Sequence, residues 1–150
     1  MDRKKDLTQI KSEFGFNVPV QIRFSDIDVY LHVNNGVFFN YFEHARALYL
    51  SQVYDWDFLK IGAVVANVNI NFLKPIHLQD TVHAYVRCVS IGTSSFVLEQ
   101  VLLGKKQDGI EVVFSTAKTT MVTIDLESMK PHPIPEEYAL KIREREGLER

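Results

Sequence analysis

The sequence predicts an α+β fold in which an antiparallel sheet of about five strands curls around one long apolar helix. Three observations predict it. Residues 36–53 repeat apolar and aromatic side chains at helical spacing, one strand-like alternation precedes them, and about four strand-like runs follow.

In the first run, Phe16, Val18, Val20, Ile22 and Phe24 alternate with Asn17, Pro19, Gln21, Arg23 and Ser25. That two-residue period suits a half-buried strand, and Pro19, which has no N–H to donate, suits a strand start or a sheet edge. The period changes after Asp28. Phe38, Tyr41, Phe42, Ala45, Leu48 and Tyr49 recur three and four apart, which makes a helix of about five turns. Asn34 or Asn35 fits its N-cap, because the side chain can accept from the first free backbone N–H groups. A helix that is apolar on most sides has to be wrapped by other structure.

Val64, Ala66, Val68, Ile70 and Phe72 then alternate with Val65, Asn67, Asn69 and Asn71, and Val82, Ala84, Val86 and Cys88 with His83, Tyr85, Arg87 and Val89. Residues 95–103 and 110–125 are rich in Val, Ile, Thr and Phe, which fit a pleated surface. Gly92-Thr93-Ser94 and Gln107-Asp108-Gly109 are turn material, so these strands should pair antiparallel as hairpins. Three prolines from Pro131 onward lead into a charged stretch, 136–150, expected as an exposed terminal helix. The whole, 1–150, reads as a single domain with its core at about 16–125 and a helical tail at about 134–150.

Composition narrows the function. Apolar content of 46%, charged content of 24% and a net charge of −2 describe a globular chain with no electrostatic pull toward nucleic acid or an anionic membrane. Residues 1–14 mix charges of both signs and do not read as a signal peptide, and no run approaches the ~18 apolar residues of a membrane span. The single cysteine, Cys88, cannot form an internal disulfide, which fits a cytoplasmic setting, and its place in an apolar strand makes it a small buried hydrophobe rather than a nucleophile. His77, His83 and His132 lack metal-ligand spacing, and neither a Gly-rich phosphate loop nor a G-x-S-x-G turn is present. No metal or cofactor is expected.

The chemistry concentrates in Asp26, Asp28, His32, Asn34 and Asn35, crowded at the mouth of the apolar helix. If the strand persists, Asp26 and Asp28 share a side and repel each other. The first N–H groups of a helix lack intrahelical partners and carry the positive end of its dipole. A carboxylate beside such donors offers an attacking group and an oxyanion site together, which suits acyl transfer to water. His32 is placed to orient or shuttle a proton. Elsewhere, Glu43 and Arg46 should pair on the less buried side of the helix, and the row Asn67, Asn69, Asn71 should be a solvated sheet face.

The segment F-S-D-I-D-V-Y-L-H-V-N-N-G-V-F-F-N-Y-F-E-H-A-R closely resembles the acyl-CoA thioesterases of the 4-hydroxybenzoyl-CoA thioesterase group, within the hotdog-fold superfamily. Weaker similarity runs on through N-F-L-K-P-I-H-L-Q-D-T-V, covering residues 18–124 in all. The resemblance implies that Asp28 is the catalytic carboxylate and that the Asn35 backbone N–H meets the thioester carbonyl. His32 and Asn35 also match the H-V-N-N of plant acyl-carrier-protein thioesterases, where the histidine is functional; two residues after the Asp, that group has asparagine and this chain has Tyr30. The Tol-Pal-associated branch has histidine at the position of Asn35 and tyrosine at that of Phe24, and this chain has neither.

The 4-hydroxybenzoyl enzymes carry a basic cluster where this chain has Gly92-Thr93-Ser94, so grip on the coenzyme A phosphates falls to Lys74 or Arg87. Tyr30, Asn34, Ser94 and Ser95 are the further candidates for substrate binding. The resemblance also implies a homodimer or a dimer of dimers, with the thioester between subunits. The expected activity is hydrolysis of an acyl-CoA to free acid and coenzyme A. An acyl-acyl-carrier-protein thioesterase or a non-catalytic acyl-thioester binding module are the alternatives, with dehydration of hydroxyacyl thioesters behind them.

Overall fold

The computed structural model describes residues 6–149. Helix α1 (Leu7–Glu13) leads into β1 (Phe16–Val20), a short 3₁₀ turn (Phe24–Asp26) and α2 (Asn35–Leu48), which continues as a π-helical turn (Tyr49–Val53). Strands β2 (Gly62–Phe72), β3 (Thr81–Ile91), β4 (Ser95–Lys105) and β5 (Glu111–Ile124) follow, then α3 (Glu136–Glu146). The strands form one antiparallel sheet in the order β1-β3-β4-β5-β2, so β1 and β2 are its edges. Pro19 therefore sits on an edge strand, where its missing donor is least costly.

Phe38, Tyr41, Phe42 and Ala45 of α2 bury against Ala84, Val86, Leu98, Leu102 and Phe114 of the sheet. Full burial of a side chain such as Phe42 is worth roughly 1.5–3 kcal/mol, which is why this helix lies inside the curl of the sheet. Register shifts between Val65 and Asn67, Cys88 and Ser90, and Leu102 and Leu103 mark bulges, which bend and twist strands locally. At Gly104 a Cβ would lie 1.8 Å from the Thr81 carbonyl oxygen, so β3 and β4 approach as they do only because position 104 carries no side chain. A sheet curled over one central helix, with strand–helix–four-strand chain order, is the hotdog fold.

Three expectations change. The first strand ends at Val20, because the chain turns at Phe24–Asp26 and leaves Phe24 84% exposed. Arg46 is buried rather than paired with Glu43 on the outer side; its Nη1 donates to Gln100 Oε1 at 3.3 Å under the sheet. The terminal helix is docked, not exposed: Tyr138, Ala139 and Ile142 are buried, and Tyr138 stacks on Trp56 at 4.5 Å. Helix α1 was not anticipated. It lays Ile10 and Phe14 on the outer sheet face, against Tyr85, Val101 and Leu103.

Candidate active site

The loop between the 3₁₀ turn and α2 folds back on itself. An isolated antiparallel bridge joins Ile27 to Val33, and inside it the Asp28 N–H donates to the His32 carbonyl at 2.8 Å. Asp28 Oδ1 accepts from the backbone N–H of Tyr30 at 2.9 Å and of His32 at 3.2 Å. Asx turns of this kind are what Asp does locally. They orient the carboxylate and leave Oδ2 without a partner among the described residues. Leu31 completes the turn at φ 64°, a left-handed conformation that costs an ordinary side chain roughly 1–2 kcal/mol.

Asp26 does not share the environment of Asp28, because the strand that would have aligned them has ended. Its Oδ2 accepts from the Arg23 N–H at 2.9 Å and from the Tyr41 hydroxyl at 2.7 Å, and its carbonyl accepts from the Asn34 N–H at 2.9 Å. Burial, and after it the bond to Asp26, push the Tyr41 hydroxyl well above its ordinary range, so it remains a donor. The Asp26–Tyr41 pair ties the loop to the second turn of α2.

Asn34 is the N-cap of α2, its Oδ1 accepting from the Gly36 N–H at 2.8 Å. The N–H of Asn35, first residue of the helix, has no intrahelical acceptor. It is left open while the cap serves Gly36. A cavity of about 420 Å³ lies at this point. Asp28, His32, Asn34 and Asn35 line its polar side, and Phe38, Phe72 and Leu73 its apolar side, with Lys74 alongside.

The structure thus brings together Asp28, His32, Asn34, Asn35 and Lys74 of the residues singled out in the sequence. Tyr30 contributes its backbone N–H to Asp28 but its side chain is 77% exposed and does not line the cavity. Ser94 and Ser95 stand at the opposite end of the sheet. Ser95 is level with Val122, and Val122 with Val64, eight residues or about 26 Å along β2 from Phe72. Arg87 is committed elsewhere, paired with Glu13 at 3.3 Å and Glu99 at 2.9 Å over the Phe14 ring. Lys74 has no such partner among the described residues. Cys88 is buried, and burial pushes its thiol up to about 12, so it is no nucleophile.

Sequence reasoning passed over Phe72 and Leu73, and over the link from Tyr41 to Asp26. Tyr41 was legible as a helix aromatic able to bound the acyl pocket, but nothing local tells that its hydroxyl finds Asp26. Phe72 and Leu73 reach the cavity because β2, an edge strand, ends beside the start of α2. Among the described residues, no group of three or more His, Cys, Asp or Glu could hold a metal ion, and no helix is long and apolar enough to cross a membrane.

Residues 22–142 match the family model described as the thioesterase-like superfamily. Long-chain acyl-CoA thioesterase FadM of Escherichia coli is 30% identical over 128 residues, covering 83% of this chain and 95% of that protein. The uncharacterised protein YsmA of Bacillus subtilis is 32% identical over 121 residues, 80% of each chain. A thioesterase of Thermus thermophilus, solved with coenzyme A and zinc, superposes with a TM-score of 0.76 at 36% identity, covering 91% of this chain and 98% of that one.

Proposed function

Because the chain belongs to the thioesterase-like superfamily, we propose that it hydrolyses acyl-CoA thioesters at the Asp28 cavity. The observation that carries this reading is the convergence of the unpartnered Asp28 Oδ2 and the open N–H of Asn35 on one cavity with an apolar wall.

In this mechanism the thioester carbonyl oxygen accepts from the Asn35 N–H, at the positive end of the α2 dipole. Donors aimed at a developing oxyanion are worth ~2.7–4 kcal/mol each when removed. Asp28 then acts by one of two routes. Either it takes a proton from a water that attacks the carbonyl carbon, or its own oxygen attacks and a mixed anhydride is hydrolysed in a second step. Both end with cleavage of the C–S bond and release of a free acid and coenzyme A. His32, which also lines the cavity, would deliver the proton that the departing thiolate takes up. Lys74, which lines the cavity without a partner among the described residues, is the grip for the phosphates of coenzyme A.

FadM is named for long-chain acyl-CoA, and the Thermus protein was solved with coenzyme A; both favour coenzyme A over acyl carrier protein as the thiol here. The acyl group would run along Phe38 and Phe72. A cytoplasmic setting, where both the substrate and the unpaired Cys88 thiol belong, is part of the same reading.

The functional unit in this proposal is at least a dimer. Among the described residues strand β2 is bonded only to β5; it carries Val64, Val65 and Phe72 exposed, and Phe39 of α2 is exposed too. Free sheet edges and exposed apolar side chains call for a cover. A second copy laid antiparallel along β2 would bring its own Ser94-Ser95 turn toward this Asp28 cavity, which gives those serines a substrate role they lack within one chain. Light scattering tests this: the expected particle is a multiple of the 17.3 kDa chain, and a monomer would count against it. Thiol release from short-, medium- and long-chain acyl-CoA tests the activity. Folded protein that releases no thiol from any of them refutes it.

A further inference from the structure

His32 lines the cavity, yet its side chain makes no hydrogen bond among the described residues. What meets its ring is the ring of His77, edge to face, with centroids 4.8 Å apart and planes at 90°. His77 is in turn held from behind. Lys106 Nζ lies 2.9 Å from His77 Nδ1, 3.0 Å from Asp80 Oδ2 and 3.2 Å from the Pro75 carbonyl oxygen.

An ammonium has three N–H groups and no lone pair, so Lys106 is fully committed and His77 Nδ1 has to accept. The His77 proton therefore sits on Nε2. Asp80 completes the set. Its Oδ2 also accepts from the His77 backbone N–H at 2.8 Å, its Oδ1 accepts from the Gln107 N–H at 3.1 Å, and its side chain is 1% exposed. A backbone bond, Val33 N–H to Ile76 carbonyl at 2.8 Å, joins the residue after His32 to the residue before His77. Two loops are thereby held at fixed spacing, and the two rings with them.

We propose that His77, oriented by Lys106 and Asp80, is a positioning residue that fixes the His32 ring in one rotamer at the cavity. An imidazole with no bond of its own would otherwise sample several staggered rotamers, and a proton donor helps only while it is in line with the atom it serves. The role of this array in turnover rests on the thioesterase reading above; the ring contact itself does not.

The test uses histidine-labelled full-length protein, NMR and steady-state kinetics. His77→Asn retains an acceptor for Lys106 but deletes the ring; His77→Phe retains the ring and deletes the acceptor. In the unaltered protein, His77 Nδ1 should show the nitrogen shift of an unprotonated acceptor, and the His32 ring protons a ring-current displacement. His77→Asn should abolish that displacement and lower kcat about tenfold at unchanged KM, part of the ~10²–10⁴ that a placed acid–base group supplies. His77→Phe should recover part of both, the remaining deficit being the orientation that Lys106 supplies. In a His32→Ala background, His77→Asn should have no further effect on kcat.

Identical His32 resonances in the unaltered and His77→Asn proteins would overturn the proposal. So would a kcat loss that persists undiminished without His32. If the resonances shift as expected but no acyl-CoA is cleaved, acyl-CoA hydrolysis fails and the positioning stands.

Discussion

The Tyr41 hydroxyl donates to Asp26 Oδ2 at 2.7 Å, clamping the loop that presents Asp28 to the helix that presents the Asn35 N–H. In the proposed mechanism the attacking group and the oxyanion donor lie on different segments, and this bond, with that of the Asn34 N–H to the Asp26 carbonyl, spaces them. Tyr41→Phe should therefore lower kcat several-fold with little change in KM. A hydrogen bond to a charged group is worth about 1.5–3 kcal/mol, and since the Arg23 N–H still holds Asp26, the stability loss in urea should fall at the low end. Unchanged kcat in the variant would show that the clamp does not position the site.

Asn34 determines which N–H of α2 stays open. Asn34→Ala should cost ~1 kcal/mol of stability and also lower activity, because the Gly36 N–H, deprived of its acceptor, competes for whatever occupies the cavity. Asn34→Asp keeps an acceptor and should retain both, as chemical denaturation and thiol release would report.

Asp80 makes stability depend on pH. Burial opposes its ionisation, but the His77 N–H and the Lys106 ammonium outweigh burial and hold its carboxyl below the ordinary carboxylate range. A depressed carboxylate stabilises the fold above its unfolded pKa, and the contribution is lost as pH falls through the folded pKa. Asp80→Asn should cost about 2 kcal/mol near neutrality, with the deficit closing in acid below about pH 3.8, as urea unfolding across pH would show. A deficit that does not change with pH would exclude this account.

At Gly104 the Thr81 carbonyl occupies the space of a side chain. Gly104→Ala should be among the most destabilising single changes in the sheet, exceeding ~4 kcal/mol or preventing folding, since the obstruction is backbone and cannot rotate away. Recovery of well-folded protein near the parent Tm would contradict the close approach of β3 and β4.

Much of this was legible in the sequence. The helical spacing of Phe38, Tyr41, Phe42 and Ala45 marked α2, alternation marked the strands, and the crowded polar residues before Gly36 fall at the candidate cavity. Where reading went astray, long-range contacts had overridden a local pattern. Alternation ran on to Phe24 although the strand stops at Val20, because the 3₁₀ turn is set by Asp26 reaching the Arg23 N–H and Tyr41. Arg46 looked like one half of a surface pair and is buried because Gln100, 54 residues away, accepts from it. Charge density hid the apolar face of α3. His77 gave no sign of a partner, since Lys106 meets it only once β4 has turned back at the end of the sheet.

Asp28→Asn tests the central claim most directly. An amide oxygen still accepts from the Tyr30 and His32 N–H groups, so the loop keeps its form while the carboxylate is lost. With melting temperature and oligomeric state matched, thiol release from acyl-CoA should fall by ~10²–10⁴-fold, the span expected of a general base or more. Turnover within twofold of the parent would contradict the account, whatever the rest of the cavity does.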